Sequence, residues 1–176
     1  IGQTLSSTHP DLKSLISDDY SQLISINADT APKVALSDVQ LLPPITNPDK
    51  IICVGLNYES HRKETGRPEV EFPTLFTRFA NSQIGDGEAM WRPAESTSFD
   101  YEGELAVIIG SGGWKIPEDK ALEHVAGYSC YNDGSVRDWQ RHTSQFTPGK
   151  NFRHTGPFGP WLVTTDEIPD PSTLTL

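Results

Sequence analysis

The stretch FDYEGELAVIIG, residues 99–110, is the part of the sequence that decides the fold. After Glu104 this run has apolar residues on both faces, which predicts a central buried strand. Side chains two positions apart on a strand point to the same face, so Glu102 and Glu104 are expected to project together. Two neighbouring carboxylates at the mouth of a buried strand repel each other, and their desolvation is costly unless a cation joins them.

A third acidic residue follows in the stretch YNDGSVRDWQ (131–140). Asp133 is expected at the end of a second strand, directly before a glycine turn. An E-x-E pair is common by chance, and its ordinary interpretation is an exposed strand end with two solvated acids. Aspartate is also an ordinary turn former. Three carboxylates brought together would, however, suit a hard divalent cation such as Mg²⁺, which prefers carboxylate oxygen atoms.

Short strands, turns and few helices are predicted on both sides of these stretches. Residues 1–46 form a small N-terminal region, helix-like in its apolar spacing up to residue 30, and residues 47–176 form the main domain. This composition of elements predicts an α+β, β-rich fold with a mixed sheet. The predicted strands cover 50–55 (buried), 74–79, 104–110, 126–134 and 158–168, and the predicted short helices cover 57–66 and 117–125.

Composition excludes several classes of protein. The 176 residues contain 14 basic and 24 acidic side chains, a net charge of −10, without the basic cluster of a nucleic-acid binder. No stretch approaches the roughly 20 apolar residues of a membrane span, and no secretory signal is visible. Cys53 and Cys130 lie in apolar surroundings and are interpreted as buried small hydrophobes. We therefore expect a reducing, cytoplasmic location, with a mitochondrial one left open.

Five motifs occur in a fixed order over about residues 48–165, namely IICVGLNYESH, PTLFTRFANSQIG, FDYEGELAVIIG, NDGSVRDWQ and TPGKNF. This set resembles the ordered motifs of the fumarylacetoacetate hydrolase family. The resemblance implies a roll-like, mixed-sheet catalytic domain of the family's C-terminal type, assembled as a homodimer. It also implies a divalent metal, magnesium or alternatively manganese or calcium, held by Glu102, Glu104 and Asp133, and a small 2-oxo acid as substrate.

The same resemblance implies three residues that contact the substrate. Lys150, in TPGKNF, would be a cation beside the bound acid with a part in catalysis, and Gln140 would contact the acid as well. Arg78, in LFTRF, stands where many relatives have a lysine, and we assign it to binding a substrate carboxylate, which a guanidinium holds with two hydrogen bonds. The ordinary alternatives are surface charge for the two cations and a polar helix surface for the glutamine.

His61 and Glu64 are the predicted acid–base pair. They are three residues apart on the predicted helix over 57–66, which places them on one face. The carboxylate can orient the imidazole so that it activates a water molecule near neutral pH. Without the family context, a solvated helix face would be the ordinary interpretation. The resemblance implies that this segment orders as a lid over bound ligand.

Three functions are compatible with these residues. The first is hydrolysis of a carbon–carbon bond in an acylpyruvate-like, fumarylacetoacetate-like dioxo acid. The second is decarboxylation of an oxaloacetate-type acid, or isomerisation of a hydroxy-dienoate, at the same metal site. The third is a non-catalytic binding protein, because the sequence ends at PSTLTL (171–176) without the further sheet and the TGTP-like loop typical of relatives. On this interpretation the catalytic domain is incomplete at its C-terminus.

Overall fold

The computed structural model describes residues 9–19, 33–64, 66, 68 and 71–176. Most of the regular structure in these residues is strand. The strands are β1 (Ile51–Gly55), β2 (Thr74–Arg78), β3 (Gln83–Ile84), β4 (Phe99–Asp100), β5 (Gly103–Ile109), β6 (Val125–Asn132), β7 (Ser135–Val136) and β8 (Gly156–Thr164). The α-helices are α1 (Leu12–Asp19), α2 (Glu59–Glu64), α3 (Arg137–Gln140) and α4 (Thr147–Lys150), and short 3₁₀ helices cover Leu36–Asp38, Ala80–Ser82, Glu118–His124 and Pro171–Thr173.

A mixed sheet with the strand order β3-β8-β6-β5 is the centre of the described residues. β5 and β6 are antiparallel, β6 and β8 are antiparallel, and β8 and β3 are parallel. Two smaller antiparallel pairs, β1 with β2 and β4 with β7, complete the strand pairing. The predicted α+β, β-rich fold with a mixed sheet is confirmed.

One face of the central sheet carries the hydrophobic core. Ile108 of β5, Ala126 of β6 and Phe158 of β8 pack together there, because side chains that alternate along each strand meet on the same face. Ile16 of α1 and Ile45 join this cluster. The described part of the N-terminal region therefore shares its apolar contacts with the main domain. Much of residues 1–30, predicted to be helix-like, lies outside the described residues.

The apolar strands are less buried than the sequence predicts. β5 is an edge strand of its sheet, and Val107 and Ile109 are 49% and 62% exposed on its open face. β1 pairs within the described residues only with β2, and its Ile52 is 59% exposed. The expectation of two buried strands is therefore wrong, because an apolar sequence marks a strand but does not tell which of its faces the rest of the chain covers.

Two smaller expectations also change. The helix predicted over 117–125 is a 3₁₀ helix, Glu118–His124, and none of its own residues is buried. Cys130 is exposed, whereas Cys53 is partly buried, so only Cys53 behaves as the expected small hydrophobe. The described helices include none that is long and apolar enough to cross a membrane.

Candidate active site

Strand pairing brings the acidic stretches together at one end of the β5–β6 hairpin. The Asp133 N–H donates to the Glu102 carbonyl at 2.8 Å, and the Glu102 N–H donates to the Asn132 side chain at 3.1 Å. β4 and β7 continue the pairing, with Asp100 opposite Ser135. The two predicted motifs are therefore neighbours, as their positions at the ends of paired strands require.

Asp133 is the centre of a buried ion-pair network. The residue is only 3% exposed, and a different cation binds each of its carboxylate oxygen atoms. Arg78 Nη1 lies 2.6 Å from Oδ1, and Lys150 Nζ lies 2.6 Å from Oδ2. A buried charge with two charged hydrogen-bond donors is compensated, whereas loss of either donor would leave it costly to keep out of water.

Lys150 bridges two carboxylates. Its ammonium group donates to Glu102 Oε2 at 2.7 Å as well as to Asp133, and the residue is 1% exposed. The side chain reaches this position because α4 packs closely on α3. A Cβ atom at Gly149 would lie 2.4 Å from the Gln140 backbone nitrogen, so only glycine permits this approach.

Arg78 has a different environment from the one the sequence predicts. Its guanidinium donates to the Gly134 carbonyl at 3.1 Å and to Thr155 Oγ1 at 2.9 Å in addition to Asp133. The residue is 1% exposed, so it is enclosed by protein rather than presented to a substrate carboxylate. In this structure Arg78 supports Asp133, and a direct substrate contact stays a prediction.

Arg137 is a site residue that the sequence analysis missed. It lies at the start of α3, donates to both Glu102 Oε1 and the Gln140 side chain, and reaches Asp100 Oδ2 at 2.8 Å. Burial works against its charge, but the bonds to Asp100 and Glu102 keep its pKa above the usual range. The bond to Arg137 in turn lowers the pKa of Asp100. Its place in the quoted motif, four residues after Asp133, was the available signal.

Gln140 and Glu102 meet at this arginine. Arg137 Nη1 lies 3.0 Å from Gln140 Oε1, so the glutamine is held at the edge of the carboxylate centre. Glu102 has a cation on each oxygen atom, Arg137 on Oε1 and Lys150 on Oε2. The predicted substrate contact of Gln140 is not tested by this arrangement, but the side chain lies beside the predicted metal ligand Glu102.

Glu104 is the third predicted carboxylate. Burial raises its pKa, the nearby Tyr58 hydroxyl opposes this, and the charges of Asp133 and Glu102 raise the pKa further. The charges act on each other, so the three carboxylates form one electrostatic unit. Arg78, Lys150 and Arg137 offset the charges of Asp133 and Glu102, so the repulsion within the unit falls mainly on Glu104.

The donor set fits a hard divalent cation in chemistry, although not in its present arrangement. In the described parts of the chain, no three His, Cys, Asp or Glu side chains are placed as a metal site. The reason is visible in the contacts of Lys150, whose ammonium group lies between Glu102 and Asp133. Carboxylate oxygen atoms suit Mg²⁺, and these two already hold a cation between them.

Two neutral groups border the ion pairs. Burial raises the pKa of the Cys53 thiol to about 12, and the Asp133 charge adds to the effect. Burial likewise raises the pKa of the Tyr131 hydroxyl to about 12. Both groups are therefore protonated at neutral pH, and Cys53 is not an activated nucleophile. The Tyr131 ring lies 5.6 Å from the Arg78 guanidinium carbon, a cation–π contact that adds to its enclosure.

His61 and Glu64 lie apart from this buried network, on α2. Both side chains are exposed to solvent, on the same short helix that the sequence predicts. Tyr58 connects this helix to β5. Its carbonyl accepts from the Arg62 N–H at 2.9 Å, and its hydroxyl accepts from the Leu105 N–H at 3.3 Å.

Comparison with known proteins places these features in context. A family model described as "Fumarylacetoacetate (FAA) hydrolase C-terminal" matches residues 50–176. A protein of Xenopus laevis named "Oxaloacetate tautomerase fahd2, mitochondrial" is 45% identical over 140 residues, which are 78% of this chain and 44% of that protein. The chain thus spans less than half the length of this relative.

Solved structures show the same fold. The fumarylacetoacetate hydrolase of Exiguobacterium antarcticum is 37% identical with a TM-score of 0.76, covering 92% of this chain and 58% of its own. The 2-hydroxyhepta-2,4-diene-1,7-dioate isomerase of Mycobacterium marinum is 32% identical with a TM-score of 0.66, covering 77% of this chain and 49% of its own. Similar proteins therefore bear the names of a tautomerase, a hydrolase and an isomerase.

Proposed function

The chain belongs to the fumarylacetoacetate hydrolase family, an enzyme family, and from this premise we propose that its carboxylate centre catalyses proton transfer on a small 2-oxo acid of the oxaloacetate type. The observation that carries the proposal is the position of Lys150, whose ammonium group lies between Glu102 and Asp133. Keto and enol forms of a 2-oxo acid differ in one proton, on C3 or on the 2-oxo oxygen. Lys150 is as enclosed as Arg78 in this structure, and we propose that its ammonium group turns toward that oxygen when substrate binds, because a charged donor there favours the enolate through which the two forms interconvert.

Other residues of this chain have separate roles in the proposed reaction. His61, oriented by Glu64, removes the proton from C3 and delivers it to the 2-oxo oxygen, so that the C3–H bond breaks and an O–H bond forms; ketonisation is the reverse transfer. Gln140 and Arg137, at the edge of the centre, contact the carboxylate of the acid. A divalent cation held by Glu102, Glu104 and Asp133 would act as a Lewis acid toward the developing negative charge. Magnesium, or alternatively manganese or calcium, is proposed in this role.

The test is a substrate panel that separates proton transfer from bond cleavage. Ketonisation of enol-oxaloacetate is followed by ultraviolet absorbance, in metal-treated protein and after chelation. We expect catalysis above the buffer rate that chelation removes and that added Mg²⁺ restores. Catalysis by metal-treated wild type but not by Lys150→Met would support the proposal, and a wild-type rate equal to that of buffer would refute it.

Hydrolysis of a carbon–carbon bond is a second candidate. The shared exposed face of His61 and Glu64 on α2 favours it, since an exposed imidazole–carboxylate pair can activate water. In this reaction water attacks the 4-carbonyl of an acylpyruvate-like dioxo acid, and the bond to C3 breaks with release of an enolate. If His61→Ala abolishes hydrolysis but leaves decarboxylation of oxaloacetate, the two reactions share the centre and only one needs the imidazole.

Assembly and location are also proposals. We propose a homodimer, which sedimentation of the purified protein would detect as a species of twice the chain mass. The name of the Xenopus laevis relative includes "mitochondrial", and a mitochondrial location of this protein is proposed beside the cytoplasmic one. Fractionation of the source cells, with the protein detected by antibody, distinguishes the two.

A further inference from the structure

The loop before β4 is hydrogen-bonded to the start of α3. Ser96, which is only 3% exposed, donates through its hydroxyl to Asp138 Oδ1 at 2.7 Å. The same hydroxyl oxygen atom accepts from the Ser98 N–H at 3.0 Å, and the Ser98 carbonyl accepts from the Arg137 N–H at 2.8 Å. These three hydrogen bonds, the Ser96 network, join the first two residues of α3 to the chain that leads into β4.

The helix α3 has little support of its own. It is four residues long, and the residue before it, Val136, makes no side-chain hydrogen bond to its first N–H groups. The first N–H groups of a helix have no partner inside the helix, and so short a helix gains little stability by itself. The Ser96 network supplies a partner for the Arg137 N–H and holds the side chain of the next residue, Asp138.

The Ser96 network lies next to the two side chains that we assign to the substrate carboxylate. Arg137 and Gln140 both belong to α3, and Arg137 Nη1 lies 3.0 Å from Gln140 Oε1. Asp100, at the end of β4, accepts from Arg137 Nη2 at 2.8 Å. None of the three proposed metal ligands takes part in the Ser96 network, so its role can be tested in metal-free protein.

We propose that Ser96 is a positioning residue, whose hydrogen bond to Asp138 sets the orientation of α3 and, through it, of Arg137 and Gln140 toward the carboxylate of the bound acid. The inference rests on the proposed function for its catalytic consequence, since that function assigns the carboxylate contact to these two residues. It deepens that function, because it extends the site to a buried serine 42 positions from Asp138 in sequence.

Exchange of the Arg137 backbone amide, followed by NMR in a chelating buffer without substrate, tests the Ser96 network. Ser96→Ala removes the hydroxyl, and loss of its hydrogen bonds should speed this exchange about five- to tenfold. Ser98→Ala is the matched control, because the Ser98 side chain is exposed and only its backbone atoms take part in the network. It should leave the exchange unchanged. Unchanged exchange in Ser96→Ala would overturn the proposal.

Variants of Asp138 separate the hydrogen bond from simple packing. Asp138→Ala removes the acceptor and should speed exchange by a similar factor, whereas Asp138→Asn keeps an accepting oxygen atom and should stay near wild type. The double variant Ser96→Ala/Asp138→Ala should be no faster than the faster single one. Faster exchange in Ser96→Ala with wild-type exchange in Asp138→Ala would also overturn the proposal, because Ser96 would then act through Ser98 alone. If Ser96→Ala does not fold, Asp138→Ala, at an exposed position, carries the test by itself.

The catalytic consequence has its own measurement. In active protein, Ser96→Ala should raise KM for enol-oxaloacetate about three- to tenfold with a smaller change in kcat, because a displaced contact to the carboxylate weakens binding of ground state and transition state alike. Asp138→Asn should keep the wild-type KM. An unchanged KM in Ser96→Ala would overturn the catalytic part of the proposal. A wild type with no activity on any 2-oxo acid would refute the proposed function, while the exchange measurements would still decide whether Ser96 positions α3.

Discussion

The buried carboxylate centre and the exposed helix α2 differ in burial, in charge pairing and in expected stability. At the centre, Asp133, Arg78 and Lys150 are almost completely enclosed and satisfy one another's charges at 2.6 Å. On α2, His61 and Glu64 face solvent, and the helix is only six residues long. The centre can keep its geometry without a ligand, whereas so short a helix gains little stability by itself. We infer that stability and reactivity reside in different regions, which predicts a graded response to mutation.

The largest effect is expected at Asp133. Asp133→Ala leaves two buried cations without their shared partner, and the free energy of unfolding should fall by about 3–5 kcal/mol. Urea denaturation at neutral pH measures it. Glu64→Ala, on the exposed helix, is the control and should change the same quantity by less than about 0.5 kcal/mol. Equal losses in the two variants would remove the distinction between the regions.

Lys150→Met should have the next largest effect. Glu102 and Asp133 would face each other without the ammonium group, and we expect a loss of about 2 kcal/mol in a chelating buffer. Lys120→Met breaks the exposed pair with Glu123 and should cost no more than about 1 kcal/mol. If a metal ion takes the place of the ammonium group, added Mg²⁺ should raise the melting temperature of Lys150→Met more than that of wild type. An equal rise would contradict that exchange.

Glu104→Gln should change the free energy of unfolding by less than Asp133→Ala or Lys150→Met. The change should depend on pH and have the opposite sign. Its folded-state pKa is raised, chiefly by burial, so the folded protein binds a proton more readily than the unfolded chain does. Its contribution to stability is therefore greatest below the ordinary glutamate range and is lost as pH rises through the folded pKa. Glu104→Gln should stabilise the metal-free protein at pH 7 by up to about 1 kcal/mol. Denaturation at pH 4 and pH 7 should show the gain only at the higher pH.

The smallest effect on stability is expected for His61. His61→Ala should leave the free energy of unfolding within about 0.5 kcal/mol of wild type, because the side chain is exposed. Its effect on catalysis should be large, about 10²- to 10⁴-fold for the step that needs an acid or base. Melting curves and initial rates on the same preparation measure both quantities. A rate unchanged by His61→Ala would remove this residue from the mechanism.

The sequence predicts the position of the acidic residues well for a physical reason. Glu102 directly precedes β5 and Asp133 directly follows β6, and the start of one antiparallel strand must lie beside the end of its partner. The strands, their mixed sheet and the short helix over 57–66 follow from local patterns in the same way. Local patterns do not show which other part of the chain covers each face of a strand, so they do not predict the exposed faces of β1 and β5.

The sequence also does not show which charged side chains pair with one another inside the fold. The substrate contacts of Arg78 and Lys150 stay predictions, but their ion pairs with Asp133, which lies 55 and 17 residues away in sequence, are not predicted. Whether a cation faces inward depends on which carboxylates the fold leaves buried, and this is a property of the tertiary structure. Arg137 differs, since it lies in the same motif as Asp133 and Gln140, but its bonds to Asp100 and Glu102 depend on how β4 and β7 pair.

Gly149 gives the molecule a position at which mutation acts out of proportion to its size. Every replacement that the genetic code allows adds at least a methyl group, which would lie 2.4 Å from the backbone of Gln140. The helix carrying Lys150 would have to move, and the ammonium group with it. A substitution at Gly149 would thus displace Lys150 from Glu102 and Asp133. Purifying selection on this glycine should therefore be as strong as on the ion pair itself.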